Sequence, residues 1–161
     1  MVLKVTEKLA QSTEAQATLT LPFELRQKSR FRAVLDNGQE VGIMLPRGEV
    51  LRGGDCLRAE NDIVIQLNAA SEAVSSITSS DYLLLQKACY HLGNRHVPLQ
   101  ITPSGLRYLQ DHVLDQMVES LGLAVKHETA PFEPESGAYQ HSGHKHTHSH
   151  DHHHHHEHSH E

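Results

Sequence analysis

The residues best equipped for chemistry in this chain are its histidines, sixteen of 161. A neutral imidazole is a ligand for Zn, Cu, Fe and Ni. It titrates, unperturbed, near pH about 6.5. Mild acid therefore turns the net charge of −6 towards cationic, and it weakens metal binding over the same range, because a ligating imidazole must be deprotonated.

The histidines occur in two settings. The first is Lys87-Ala88-Cys89-Tyr90-His91-Leu92-Gly93-Asn94-Arg95-His96-Val97-Pro98. This stretch reads as the end of a helix, a turn and the start of a strand. Gly93 falls where a helix usually needs a left-handed residue after its last turn, and Asn94 also tolerates that conformation. Pro98 biases Val97 towards extended backbone. His96 is thus expected on a short, defined turn with its imidazole facing outward, as a metal ligand or simply as a surface or capping histidine.

The second setting is the C-terminal stretch, where twelve of the last twenty-one residues are histidine. His152, His153, His154, His155 and His156 form an unbroken run. His144, His146, His148, His150, His158 and His160 alternate with other residues on both flanks, which reads as native sequence and not as an appended purification tag. A tract of this kind binds metal through many weak, exchanging sites. Raw affinity favours Cu(II) over Ni(II), so the tract does not name its metal, and Zn(II) or Cu(II) can compete.

Selectivity then falls to the body of the protein. One His96 is a poor site by itself. An isologous homodimer would place a second copy across the axis. Two facing imidazoles make a partial site with open positions, from which a cargo ion can leave more readily than from a closed four-ligand cage. His112, His91 and His127 are secondary candidates, each with surface or packing roles as the plainer alternative.

Several function classes find no support. There is no phosphate-binding GxxxxGKS loop and no HExxH, nor a Ser or Cys nucleophile in a recognisable setting. No enzymatic activity is expected. The acidic balance argues against nucleic-acid binding. No apolar run approaches a membrane span and no signal peptide is visible, so no membrane partner is expected and the expected setting is a reducing cytoplasm. Cys56 and Cys89 form no zinc-binding spacing, and Cys89 is expected to be buried.

The elements that must position these residues fall into three segments. Residues 1–70 read as a small all-β unit, a barrel or sandwich, with strands at Leu3–Thr6, Ala17–Leu21, Arg30–Leu35, Glu40–Leu45 and Ile63–Leu67. Asp36-Asn37-Gly38 is its clearest hairpin signal. Arg26, Lys28, Arg30, Arg32, Arg47 and Arg52 give this half a basic bias, read either as a solvated face or as a docking surface for an acidic protein partner. Asn68-Ala69-Ala70-Ser71 is expected to be a linker.

Residues 71–140 read as β-α-β-β-α-β, the order of a ferredoxin-like domain, so the fold class is α+β. Its helices are expected to be capped by Ser80 and by Asp111, with Gly122 ending the second. The Pro- and Glu-rich Ala130–Gly137 stretch reads as an extended arm. Residues 141–161 lack the apolar content to fold and are expected to be a disordered His-rich tail.

Together these residues resemble a known family. Tyr90 to His96, with Val97 to Gly105 after it, look like the signature of the urease accessory protein UreE. Leu45-Pro46-Arg47-Gly48, Leu51-Arg52-Gly53-Gly54-Asp55, Asp111-His112-Val113-Leu114 and Pro131-Phe132-Glu133-Pro134-Glu135 are similar to other parts of that family in the same order. The resemblance implies a homodimeric nickel metallochaperone with a peptide-binding-like β domain and a ferredoxin-like metal-binding domain. Such proteins pass Ni(II) to the GTPase UreG and to the urease apoprotein with UreD and UreF. The family's interfacial metal histidine falls on His96 and an accessory one on His112. Some relatives carry another histidine two residues before the latter, where this chain has Gln110. Beside nickel delivery stand two other readings, a general divalent-metal buffer built on the tail and a protein-binding module built on the β half.

Overall fold

The computed structural model describes residues 2–137. The expected tail, 141–161, lies outside them. The first half holds β1 (Leu3–Lys8), β2 (Ala17–Leu21), a one-turn helix α1 (Phe23–Arg26), β3 (Arg30–Val34), β4 (Glu40–Met44), β5 (Cys56–Ala59) and β6 (Val64–Ala69). The strands form a single six-stranded sheet in the order β2-β6-β5-β1-β4-β3. It is mixed: β1 runs parallel to β4 and β2 parallel to β6, while the other pairs are antiparallel.

Alternation explains its core. In β4, Val41 and Ile43 are buried while Glu40 and Met44 face solvent. Val5, Leu19, Leu57, Ile65 and Leu67 join them in one aliphatic cluster. The turn after β3 carries Gly38 at φ 90°, the left-handed geometry that Asn37-Gly38 supplies. Its Asp36 accepts bonds from Thr18 Oγ1 at 2.6 Å and Thr20 Oγ1 at 2.9 Å, which pins this corner to β2.

The second half runs β7 (Ser71–Thr78), α2 (Tyr82–Asn94), β8 (Gln100–Thr102), β9 (Gly105–Leu109), α3 (His112–Ser120) and β10 (Lys126–Pro131). The sheet order β10-β7-β9-β8, antiparallel throughout, is the ferredoxin-like arrangement expected for βαββαβ. The core is formed by Ile77, Leu85, Ala88, Leu92, Leu106, Tyr108, Leu114 and Val118. Gly105 is required where β9 passes β7, since a Cβ there would lie 1.9 Å from the Ile77 carbonyl oxygen.

Two expectations need correction, and two elements were not anticipated. Asn68–Ser71 is not a linker: Asn68 and Ala69 complete β6, Ser71 opens β7, and only Ala70 stands between, its N–H bonded to Leu21 O at 2.9 Å. The first helix is capped not by Ser80 but by Asp81, whose carboxylate accepts from Leu84 N at 3.1 Å. An aspartate outcompetes the neighbouring serine because its charge also suits the positive end of the helix. Strand β5 was not anticipated, because Cys56-Leu57-Arg58-Ala59 is three-quarters buried and shows no alternation. The helix α1 is too short to leave a periodic signal.

The arm is extended, and it is also packed. Phe132 is fully buried and meets Phe23 edge-on at 5.6 Å between ring centroids. Arg26, 0% exposed, reaches the Leu21, Leu51 and Phe132 carbonyls and pairs with Glu133 at 2.5 Å. Burial pulls the Arg26 guanidinium below its ordinary value, and the Glu133 and Glu72 carboxylates oppose that. Arg52 holds the Pro134 carbonyl at 2.5 Å and Ser136 Oγ at 2.9 Å. Two of the six cations read as a basic face thus bind the protein's own arm.

Candidate metal centre

Helix α2 exists because Leu85, Ala88 and Leu92 recur at helical spacing and bury one face against the sheet. Its end delivers His96. Gly93 and Asn94 remain inside the helix, Arg95 is the C-cap, and His96 itself takes the left-handed conformation at φ 57°. The His96 N–H bonds Gly93 O at 3.0 Å and the Val97 N–H bonds Leu92 O at 3.3 Å. These are the two bonds of a Schellman motif, which satisfy helix carbonyls that would otherwise be orphaned. Val97 packs into the core that contains Leu92, the apolar contact that accompanies the motif. The turn is therefore rigid, and the His96 side chain projects from it into solvent.

The expected left-handed residue was Gly93, three positions too early. The helix runs on because its last apolar position, Leu92, needs a further turn before the chain can reverse.

Helix α3 begins opposite. Asp111 is its N-cap as expected, accepting from Val113 N at 2.8 Å and Leu114 N at 3.2 Å. His112 is the first helical residue and is exposed, as is Gln110. The two helix termini share a surface: Arg95, His96 and Pro98 line the same open depression as Leu109, Gln110 and Asp111. Exposed Leu109 and Val113 make its surroundings partly apolar. Among the described residues no group of three or more His, Cys, Asp or Glu side chains is arranged to hold a metal ion.

The other histidines sort differently. His91 is exposed on α2, with the Tyr90 ring edge-on at 5.3 Å. Cys89 is half-buried, less than expected, and burial raises its thiol above the ordinary range. The tail histidines lie outside the described residues.

His127 is half-exposed on β10, and its Nε2 meets Asp115 Oδ2 at 2.6 Å. Asp115 is nearly buried, and its other oxygen accepts from Ser75 Oγ and Tyr108 OH, both at 2.7 Å. Burial alone would raise the Asp115 carboxyl, but the Tyr108, Ser75 and His127 bonds outweigh it and hold it below the usual carboxylate range. Burial, together with the Asp115 carboxylate, pushes the Tyr108 phenol far up. This network was missed from the sequence. A signal was present: Asp115 sits between core positions Leu114 and Val118 of an amphipathic helix, where a charged residue demands partners.

The molecule is thus a small α+β protein that presents single exposed imidazoles, His96 just past the end of α2 and His112 at the start of α3. Comparison with known proteins gives the family. Residues 2–70 match the family model described as UreE urease accessory protein, N-terminal domain, and residues 72–160 match the one for its C-terminal domain. The chain belongs to the UreE urease accessory protein family. It is 62% identical over 138 residues to the urease accessory protein UreE of Alkalilimnicola ehrlichii, covering 86% of this chain and 85% of that one. The corresponding protein of Citrobacter koseri is 51% identical over 144 residues, covering 89% and 95%. That of Pseudomonas putida is 54% identical over 141 residues, covering 87% and 88%. No described helix is long and apolar enough to cross a membrane.

Proposed function

We propose that this protein is a cytoplasmic nickel metallochaperone for urease maturation. It binds Ni(II) between two copies of His96 in a homodimer and delivers it to UreG and to the urease apoprotein held with UreD and UreF. Residues 1–70 and 71–140 act as two units of one carrier, with 141–161 as a collecting tract. The observation that carries the site is the exposed imidazole of His96 on a rigid helix-ending turn. It stands beside the first turn of α3, within a surface that Leu109 and Val113 make apolar enough to suit a subunit interface. A single exposed imidazole is an incomplete site, and a two-fold axis completes it without adding ligands that would trap the ion. His112, one residue beyond the depression, is the accessory ligand. His144, His146, His148, His150, His152 to His156, His158 and His160 load and exchange metal.

A second reading, a general buffer for Ni, Cu or Zn, is favoured by the tail's histidine density. Calorimetric Ni(II) titration separates the two. On the carrier reading, a chain cut after Gln140 keeps about one Ni per dimer and still supports urease activation, while His96→Ala in that shortened chain abolishes the site. If shortening removes all nickel binding and all support of urease, the buffer reading stands instead.

A further inference from the structure

With Arg26 and Arg52 committed to the arm, two of the remaining basic residues of the first half, Arg30 and Arg32, lie on β3. Among the described residues this strand is an edge of the six-stranded sheet, paired only with β4. The register fixes which backbone groups are used. Leu35 N bonds Gln39 O and Leu45 N bonds Ser29 O, both at 2.8 Å. Bonded and non-bonded pairs alternate in an antiparallel ladder, so Phe31 and Ala33 face β4. The N–H and C=O groups of Arg30, Arg32 and Val34 point away from it, and among the described residues they have no backbone partner. Strand β2, the opposite edge, meets this side at the Asp36 corner, where Asp36 N bonds Thr18 O at 2.9 Å and the Asp36 carboxylate accepts from Thr18 and Thr20.

The side chains agree with the backbone. Arg30, Arg32 and Val34 share the solvent face, and neither arginine is in an ion pair among the described residues. Val34 is 56% exposed and Met44, across from Arg30, is 44% exposed. Val2, Arg32, Val34 and Glu40 border a small depression. An edge with free hydrogen-bonding groups, two guanidinium groups and apolar contacts is a template for strand addition.

We propose that the free edge of β3 docks an extended acidic segment of a partner protein, which adds as a further strand. Its backbone pairs with Arg30, Arg32 and Val34, its carboxylates face Arg30 and Arg32, and an apolar side chain sits by Val2 and Val34. A second copy of this chain does not suit the edge, because antiparallel self-pairing would bring arginines against arginines. The inference is independent of nickel.

The test uses the full chain near pH about 8, where histidines are neutral, and a fluorescein-labelled peptide of alternating Val and Glu, with a Val/Lys peptide as control. The acidic peptide should bind saturably by fluorescence polarisation and the control should not. Amide exchange should slow at Arg30, Arg32 and Val34 and stay unchanged at Phe31 and Ala33. Arg30→Glu/Arg32→Glu should weaken binding by about tenfold or more and transfer preference to the Val/Lys peptide. Val34→Pro keeps both arginines, removes one outward N–H, and should also weaken binding, since proline is tolerated at an edge position that makes no ladder bond. Absence of saturable binding, slowed exchange elsewhere only, or a Val34→Pro protein that binds as tightly as the wild type would each overturn the proposal. So would a change of oligomeric state in the double arginine variant, which would place a second copy on the edge.

Discussion

Helices α2 and α3 end in the same way and with different residues. In α3 the left-handed position is Gly122 at φ 99°, with its N–H on Glu119 O at 3.0 Å and Leu123 N on Val118 O at 3.4 Å. In α2 the equivalent position is His96 at φ 57°, with the same pair of bonds. Glycine adopts this geometry freely, whereas a residue with a Cβ is disfavoured by roughly 1–2 kcal/mol. One end is built for stability. The other accepts local strain and gains an imidazole held at a fixed point. Strain of this kind is tolerated where the surrounding structure over-determines it, and it collects at functional sites.

The contrast can be broken at either helix. The largest effect is expected inside α3. Asp115→Ala strands two buried hydroxyls and should cost about 3 kcal/mol in denaturant unfolding, while the refolded, tail-less protein keeps its nickel stoichiometry. Gly122→Ala should cost about 1 kcal/mol. A Cβ there meets only Leu84 Cδ1 at 3.8 Å, so the cost is conformational and not steric. His96→Gly should move the other way, stabilising by up to about 1 kcal/mol while abolishing the body nickel site. A loss of both stability and metal would show that His96 is structural. His127→Gln should cost less than about 1 kcal/mol and leave nickel binding intact, which separates the tethered histidine from the free one.

Acid sharpens the same comparison. The Asp115 carboxyl lies below its unfolded value, which is near about 3.9. Its contribution is complete above that unfolded value and is lost as pH falls through the folded one. Thermal unfolding followed from pH about 5 down to about 2 should show a shallower decline in Asp115→Asn than in the wild type.

How much of this was legible depended on whether a residue's partners are near it in sequence. Ala17–Leu21, Asp111 and Gly122 were placed correctly, because alternation, capping and helix-ending glycines are local signals. The ferredoxin-like order was legible for the same reason. Parallel pairing of β1 with β4 and of β2 with β6 was not, since nothing in either strand specifies a partner tens of residues away. The candidate site was half legible. His96 and its outward turn could be read, but its left-handed backbone could not, because Gly93 offered the cheaper solution. The Asp115 network and the Arg26–Glu133 pair depend on tertiary neighbours alone. The basic face misled for that reason: Arg26 and Arg52 look like surface cations until the arm is folded back.

That arm has a consequence for synthesis. Arg26 and Glu133 are 107 residues apart, and ribosomes add about 5–20 residues per second. For on the order of 5–20 s the nascent first sheet carries a guanidinium without the Glu133 carboxylate that pairs with it in the finished fold. The sheet can therefore gain its final stability only after the second half has emerged. A molecule released before Phe132 and Glu133 are made lacks the partners that close over Arg26, so its first sheet is held less firmly than that of the finished chain.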